Sequence, residues 1–524
     1  MRKRIGCLVL AVCVIATCLC GCRKKQKDDG KGGGFRFPIA AEPASLDPQM
    51  AQDDPSVTVL CALFEGLTRL DNSGKAIPAA ATWTVSEDGL TYTFTLRESY
   101  WSTNPVEGKD YAWNEPMRVT ADDFLFAIQR IADPATKSPL TAELQGIHNA
   151  QAVIRGELPI EELGVKAVDS THLTITLDAP DSEFPARLAT SPFFPCQRAF
   201  FAYTAGRYGL EMDYVLSNGA FRLAAWNHGE SLLLYKYANY HDAANISPEA
   251  VRFVIGVEDP VTALKEGDLS AAPLTAAQAK AVGSDLTTTK LDDTARYLWF
   301  NTANATLSDV TVRQALRDSI QWNSVDAYVQ KWGETVATAY APPAATKRGD
   351  VTLSRVTDTA ATLPNTVKLD VLAADDTVSA DIARYILQSW QKNLGITVTL
   401  TLVSEQEVAK RMKSGNYQVA LYTLTPAGLT AAENLSMFSS AAPNNYAHLN
   451  DSAVDDAIAA AHGGDTAAVN ALEAALWEAC PAIPISYPCR YYGFAKGTAD
   501  IVARPFGGGR YQSPIDFRDA KKYK

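Results

Sequence analysis

The sequence predicts a multi-domain α/β protein. Three observations carry this: strand-like and helix-like stretches alternate along the chain, the composition is globular, and the length exceeds one domain. The chain has 524 residues, 47% apolar and 20% charged, enough for about three domains of ordinary size. Nine tryptophans and 21 tyrosines are more than a disordered chain carries. The formal net charge is −11, and no basic stripe offsets it, which argues against a nucleic-acid partner.

The N-terminus opens with the cationic MRKR, followed by an apolar run of fourteen residues, 5–18. That run is too short to span a bilayer comfortably and reads as an export signal. Next comes LCGC, with an aliphatic residue three before Cys22 and a glycine directly before it. This resembles the lipobox of bacterial lipoproteins, which implies cleavage after Gly21 and a diacylglycerol thioether on Cys22. Cys20 is a poorer acceptor because Leu19 precedes it. A membrane anchor reaching Gly21 and an ordinary cleaved signal are the alternatives. Residues 1–21 are thus expected to be a signal peptide and 22–34 a lipidated flexible tether. The tether, RKKQKDDGKGGG after the cysteine, has no apolar residue. Its r.m.s. reach is about 20 Å, and its basic residues would adjoin anionic headgroups.

From Phe35 on, the elements are legible in order. LTYTFTLRE sets Leu90, Tyr92, Phe94 and Leu96 on one face of a strand. VTADDFLFAIQRIADP opens with a capping box from Thr120 to Asp123, then places Phe124, Ile128 and Ile131 at helical spacing before Pro134. HLTITLDAP is a strand with Leu173, Ile175 and Leu177 inward. DVTVRQALRDSIQW predicts one amphipathic helix with Val312, Leu316 and Ile320 on a face. SADIARYILQSWQKNLG predicts a helix from Ser379 to Gly395, carrying Ile382, Ile386 and Trp390. It runs into GITVTLTLVS, a strand with Ile396, Val398, Leu400 and Leu402 inward, so the two form an αβ unit.

Beyond Cys22 the cysteines are Cys61, Cys196, Cys480 and Cys489, and their spacing announces no disulfide framework. Cys480 and Cys489 flank PAIPISYP; in one extended strand they would lie about 30 Å apart, so no bridge is predicted between them. Catalytic motifs are missing: there is no HExxH, GxSxG or GxxxxGK[ST], and no CxxC after Cys22. The six histidines show no metal-ligand spacing. No cofactor or metal is expected.

Nine longer segments, in order, carry a resemblance that covers residues 35–524. They are EPASLDPQ, LFEGLTRLD, WTVSEDGLTYTFTLRE, VTADDFLFAIQRIADPATKSP, ELGVKAVDSTHLTITLDAP, SNGAFRLAAWNHGESLLLYKYANYHD, YLWFNTAN with DVTVRQAL, WQKNLGITVTLTL, and PAIPISYPCRYYGFAKG. The chain resembles the extracytoplasmic solute-binding proteins of oligopeptide ABC transporters, solute-binding protein family 5. The resemblance implies a class II periplasmic-binding-protein-like fold, with two lobes closing on a ligand and an extra third domain. Domain I (lobe 1) would comprise 35–75, 200–298 and 492–524. Domain II would be 76–199, and domain III (lobe 2) 299–491. The hinge is expected near YLWFNT and SYPCRYYGF. The implied role is to capture an oligopeptide and deliver it to permease and ATPase subunits, as a monomer held by lipid at the outer face of the cytoplasmic membrane. No bond would be broken, so an enzyme is not expected. The alternatives are the same fold binding a glycan, metal chelate or modified amine, or a surface sensor or adhesin.

Residues 414–432 carry no charge at all. YQVALY within them reads as a buried strand, and TLTPAGL resembles the family's pocket wall. The opposite wall would be the loop MAQDDPSV, residues 50–57, with Gln52, Asp53 and Asp54 as ligand contacts and Pro55 matching the family. In the well-known members a tryptophan, a cysteine and an aspartate follow Thr423; here those places hold Leu424, Thr425 and Ala427. The cysteine's partner corresponds to Thr294, so that disulfide is absent on both sides. A second pocket tryptophan corresponds to Glu405. The family aspartate holds a peptide's α-ammonium, and an ammonium buried without a counter-charge costs several kcal/mol. Either Glu405 supplies the carboxylate, or the ligand's end is blocked, modified or not an amine. Glu433 is the only acid between Gln418 and Asn450.

Overall fold

Strand pairing explains where each part of the chain goes. The computed structural model describes residues 34–71, 74–102, 117–358, 360–426, 428–462, 465–508 and 510–523. Cys22 and the signal therefore lie outside the described residues, as does Ala427. Gly34–Lys524 forms one compact unit.

A six-stranded sheet has the order Thr335–Val336, Ala482–Tyr487, Ala295–Phe300, Val419–Leu424, Lys368–Ala374, Thr397–Val403. Its last three strands run parallel to one another, and the rest are antiparallel to their neighbours. Both faces are covered. Tyr297 and Trp299 enter one core with Tyr340, Phe438 and Leu476. Leu298 and Phe300 enter another with Val371, Ile386 and Trp390. A strand buried on both faces needs no alternation, which is why ARYLWF and AIPISY read as near-continuous apolar runs.

The other half of the molecule holds a three-stranded sheet, Ala271–Thr275, Arg490–Phe494, Thr287–Leu291. Two four-stranded sheets accompany it: Phe35–Ile39 with Ala250–Ile255, Ser231–Lys236 and Phe221–Asn227, and Ala81–Val85 with Thr91–Leu96, His172–Thr176 and Val165–Ala167. They share one apolar core with the helices Asp54–Leu63 and Ala121–Ala132. Phe517, near the C-terminus, closes that core against Phe35 and Phe37.

The strand Thr91–Leu96 buries Tyr92, Phe94 and Leu96, while Leu90 falls outside it, half-buried. His172–Thr176 buries Leu173 and Ile175. Thr120 and Asp123 form the expected capping box. Three expectations need correction. The helix expected at Ser379 starts at Thr377, because the Asp376 carboxylate takes the Ser379 N–H at 2.9 Å and caps it two residues earlier. The helix through Ile320 stops at Asp318, and a second runs Trp322–Lys331, although Leu316 and Ile320 are both fully buried. Leu402 is 36% exposed, not inward, because it ends an edge strand that has a neighbour on one side only. Cys61, Cys196, Cys480 and Cys489 are all free thiols.

Candidate functional site

The two halves are joined where the chain leaves the three-stranded sheet at Leu291 and enters the six-stranded sheet at Ala295. It returns between Tyr487 and Arg490. Asp293 lies in the first passage and is fully buried, whereas Arg490, beginning the strand after the second, is 43% exposed. Arg490 donates from Nε to Asp293 Oδ1 at 3.1 Å and from Nη2 to Oδ2. Thr294 Oγ1 also donates to Oδ1, at 3.1 Å, and the Phe506 backbone N–H donates to Oδ2 at 2.8 Å. Several donors on one carboxylate are what a buried charge requires. Burial works against the Arg490 charge, but Asp293 outweighs it and raises the guanidinium pKa; Asp54 adds to the same field.

One wall is the carboxyl end of Val419–Leu424. That strand pairs with Ala295–Phe300 along its full length, but with Lys368–Ala374 only from Val419 to Leu421. Residues 422–424 thus have a ladder partner on one side only among the described residues. They sit where three parallel strands end, the position at which open α/β sheets hold ligands. Thr423 Oγ1 is buried there with no hydrogen-bond partner. Leu424 is half-buried against the core, and Thr425 is exposed. Thr425 Oγ1 lies 3.0 Å from Thr294 Oγ1, so this wall is tied by one hydrogen bond to the Asp293 cluster.

Glu433 is taken up by the wall's own backbone. Its Oε2 accepts from Leu429 N at 2.8 Å and Thr430 N at 2.9 Å, within a capping box. Gly428, at φ +106°, makes room for this turn, since a Cβ there would lie 2.4 Å from Glu433 Cβ. Glu405 is exposed in the first turn of Glu405–Lys413, after the Ser404 cap. Its charge reaches Tyr422, whose phenol is pushed up to about 12, first by burial and then by Tyr446 and Glu405.

On the opposite side, the expected loop 50–57 is half helix, since Asp54–Leu63 is helical. Asp53 caps it, accepting from Ser56 N at 2.9 Å and Ser56 Oγ at 2.8 Å. Its carboxylate belongs to the fold. Gln52 and Asp54 are exposed, and Asp54 acts electrostatically on Arg490 and Tyr492. The D-D-P-S string held this signal: an Asp cap followed by proline in the first turn. Sequence reading missed Asp293 and Arg490 as a pair, although one arginine inside the apolar SYPCRYYGF was a visible cue. Among the described residues, no three His, Cys, Asp or Glu side chains are grouped to hold a metal, and no helix is long and apolar enough to cross a membrane.

Residues 76–446 match the family described as bacterial extracellular solute-binding proteins, family 5, middle region. The chain belongs to this family. Among its family 5 relatives, the periplasmic murein peptide-binding protein MppA of Escherichia coli (strain K12) is 30% identical over 480 residues, 85% of this chain and 86% of that protein. The oligopeptide-binding protein OppA of Bacillus subtilis (strain 168) is 28% identical over 449 residues, 79% of this chain and 78% of that one. An unliganded open form of the murein tripeptide-binding protein MppA superposes with a TM-score of 0.72 at 26% identity, covering 94% of this chain and 98% of that one. Listeria monocytogenes OppA bound to peptide, 20% identical, shares the fold, with a TM-score of 0.70 over 94% and 100% of the two chains. This family 5 protein therefore has the mixed α/β, two-lobed architecture of periplasmic binding proteins. The hydroxyl pair Thr294–Thr425 stands at the two positions where the family resemblance placed a disulfide.

Proposed function

We propose that this family 5 protein is the substrate-binding lipoprotein of an ABC importer. It captures an oligopeptide or peptide-like solute between its lobes and hands it to the permease and ATPase subunits. It works as a monomer, held by lipid on Cys22 at the extracytoplasmic face of the membrane, and breaks no bond. The lobes move about the two passages at 292–294 and 488–489. The expected boundary at 298/299 would fall inside the strand Ala295–Phe300, so we set lobe 2 at 295–487.

The observation that carries the peptide reading is the one-sided edge at residues 422–424, beside the unpartnered Thr423 hydroxyl. An extended peptide adds to such an edge by main-chain hydrogen bonds, while pockets between alternate side chains give preference. Relatives that bind murein peptides and oligopeptides support the same reading. Thr423, Leu424 and Thr425 are its wall, and Gln52 and Asp54 face it from lobe 1. Glu405 supplies the counter-charge for the ligand's ammonium. The commitment of Glu433 to its cap favours a second reading. In that reading the wall offers no carboxylate of its own, and the ligand is blocked at its end or is not a peptide.

Native mass spectrometry of the domain from Gly34, purified gently, separates the two. A ladder of peptide masses released on denaturation is the expected result; a single non-peptide mass would overturn the peptide reading. With the recovered peptides, Glu405→Gln is expected to weaken binding by about 2–5 kcal/mol in calorimetric titration, as for a buried charge left unpaired. Unchanged affinity would remove Glu405 from the site.

A further inference from the structure

Asp293 gathers three segments that pass between the two cores. It lies in the first passage, it holds Arg490 beside the second, and it accepts the backbone N–H of Phe506. Phe506 is itself a crossing. Its side chain is buried in the core that contains Tyr297, Tyr340 and Tyr487, whereas Tyr511, Ile515 and Phe517 of the same tail pack in the core on the other side. Phe506 and Gly507 both have positive φ, 55° and 65°, so the tail bends sharply as it enters and leaves. The fourth link goes outward, from Asp293 through Thr294 to Thr425 on the cleft wall.

We propose that Asp293 is the positioning residue of the cleft: one buried carboxylate sets the cleft wall, through Thr294 and Thr425, in register with the passages about which the lobes move. It touches no ligand in this scheme. It acts through the residues it holds, and the inference stands whether the ligand is a peptide or another solute. The chemistry suits the role. A carboxylate in a dry site can accept all these bonds at once only in one arrangement, so a shift of any crossing is felt by the others. Arg490 is 43% exposed, and Asp54 of lobe 1 lies within its field.

The test is hydrogen exchange read by mass spectrometry on the full-length protein without ligand, comparing wild type with Asp293→Asn. The expected result is exchange faster by about tenfold at two separated places, residues 423–430 and 504–508, with the centre of the six-stranded sheet unchanged, the signature of local opening. Thr294→Val cuts only the outward link and should loosen 423–430 while sparing 504–508. A rescue separates positioning from bulk stability. In the Asp293→Asn background, Thr294→Cys with Thr425→Cys, oxidised with glutathione disulfide, should restore slow exchange at 423–430, and reduction with dithiothreitol should abolish it. Uniformly faster exchange across the sheet, or failure of the oxidised pair to restore the wall, would overturn the proposal. If Asp293→Asn does not fold, Thr294→Val decides: no loosening at 423–430 would overturn it equally. None of these readings depends on ligand identity, so failure here is separate from failure of the transport reading.

Discussion

Two ion pairs tie distant parts of this molecule together, and they are built in opposite ways. Asp293 is fully buried, and its carboxylate takes Arg490, Thr294 and a backbone N–H. Glu183 and Lys347 meet at 2.7 Å, with 42% and 37% of their side chains exposed. Near the second pair, Thr346 N–H donates to Leu429 O at 2.8 Å, and a Cβ on Gly74 would lie 3.0 Å from Leu429 Cδ1. The exposed pair thus joins residue 347, next to the wall loop, to the half that contains Glu183. The difference teaches which contact is fixed. A buried charge that loses its partner is costly, whereas an exposed pair exchanges protein for water at little net cost. The first suits a pivot and the second a contact that opens and closes.

That contrast can be broken by measurement. Asp293→Asn should lower the free energy of local opening at 423–430 and 504–508 by about 1.4 kcal/mol, the equivalent of tenfold faster amide exchange, because Arg490 is left without its carboxylate. A loss under 1 kcal/mol would put the two pairs in one class and end the distinction. Thr425→Val should cost about 0.5–1.5 kcal/mol, the worth of one hydrogen bond at a partly exposed site; a much larger loss would mean that the wall and the pivot share more than that bond. Lys347→Glu should cost less than about 1 kcal/mol, shrink further as salt is added, and be reversed by a second change, Glu183→Lys. A salt-independent effect that the charge swap does not reverse would show that Lys347 acts by packing and not as half of an ion pair.

The sequence carried the fold further than it carried the site. Period-2 alternation found the strands at Thr91–Leu96 and His172–Thr176, because each has one buried face. The capping box at Thr120 found its helix, because that signal is local. The family resemblance points to a loop at residues 50–57, whereas the local cap and proline there mark the start of the helix Asp54–Leu63. The site was less legible. Glu433 is the only acid between Gln418 and Asn450 in the sequence, and only the fold shows its carboxylate turned onto Leu429 and Thr430. The Asp293–Arg490 pair spans 197 residues of sequence, and no local rule links partners that far apart. Thr294 and Thr425 were matched through the cysteines of relatives, and their hydroxyls do meet.

The tail crossing at Phe506 has a consequence in time. Asp293 needs Arg490 and the Phe506 amide, which lie 197 and 213 residues further along the chain. A chain that folds as it emerges can build its sheets early, since domains fold as units from the N-terminal side. It cannot finish the cleft until residues 490–506 arrive. Until then Asp293 has neither its cation nor its amide, and the half-made protein has no settled wall with which to hold a solute.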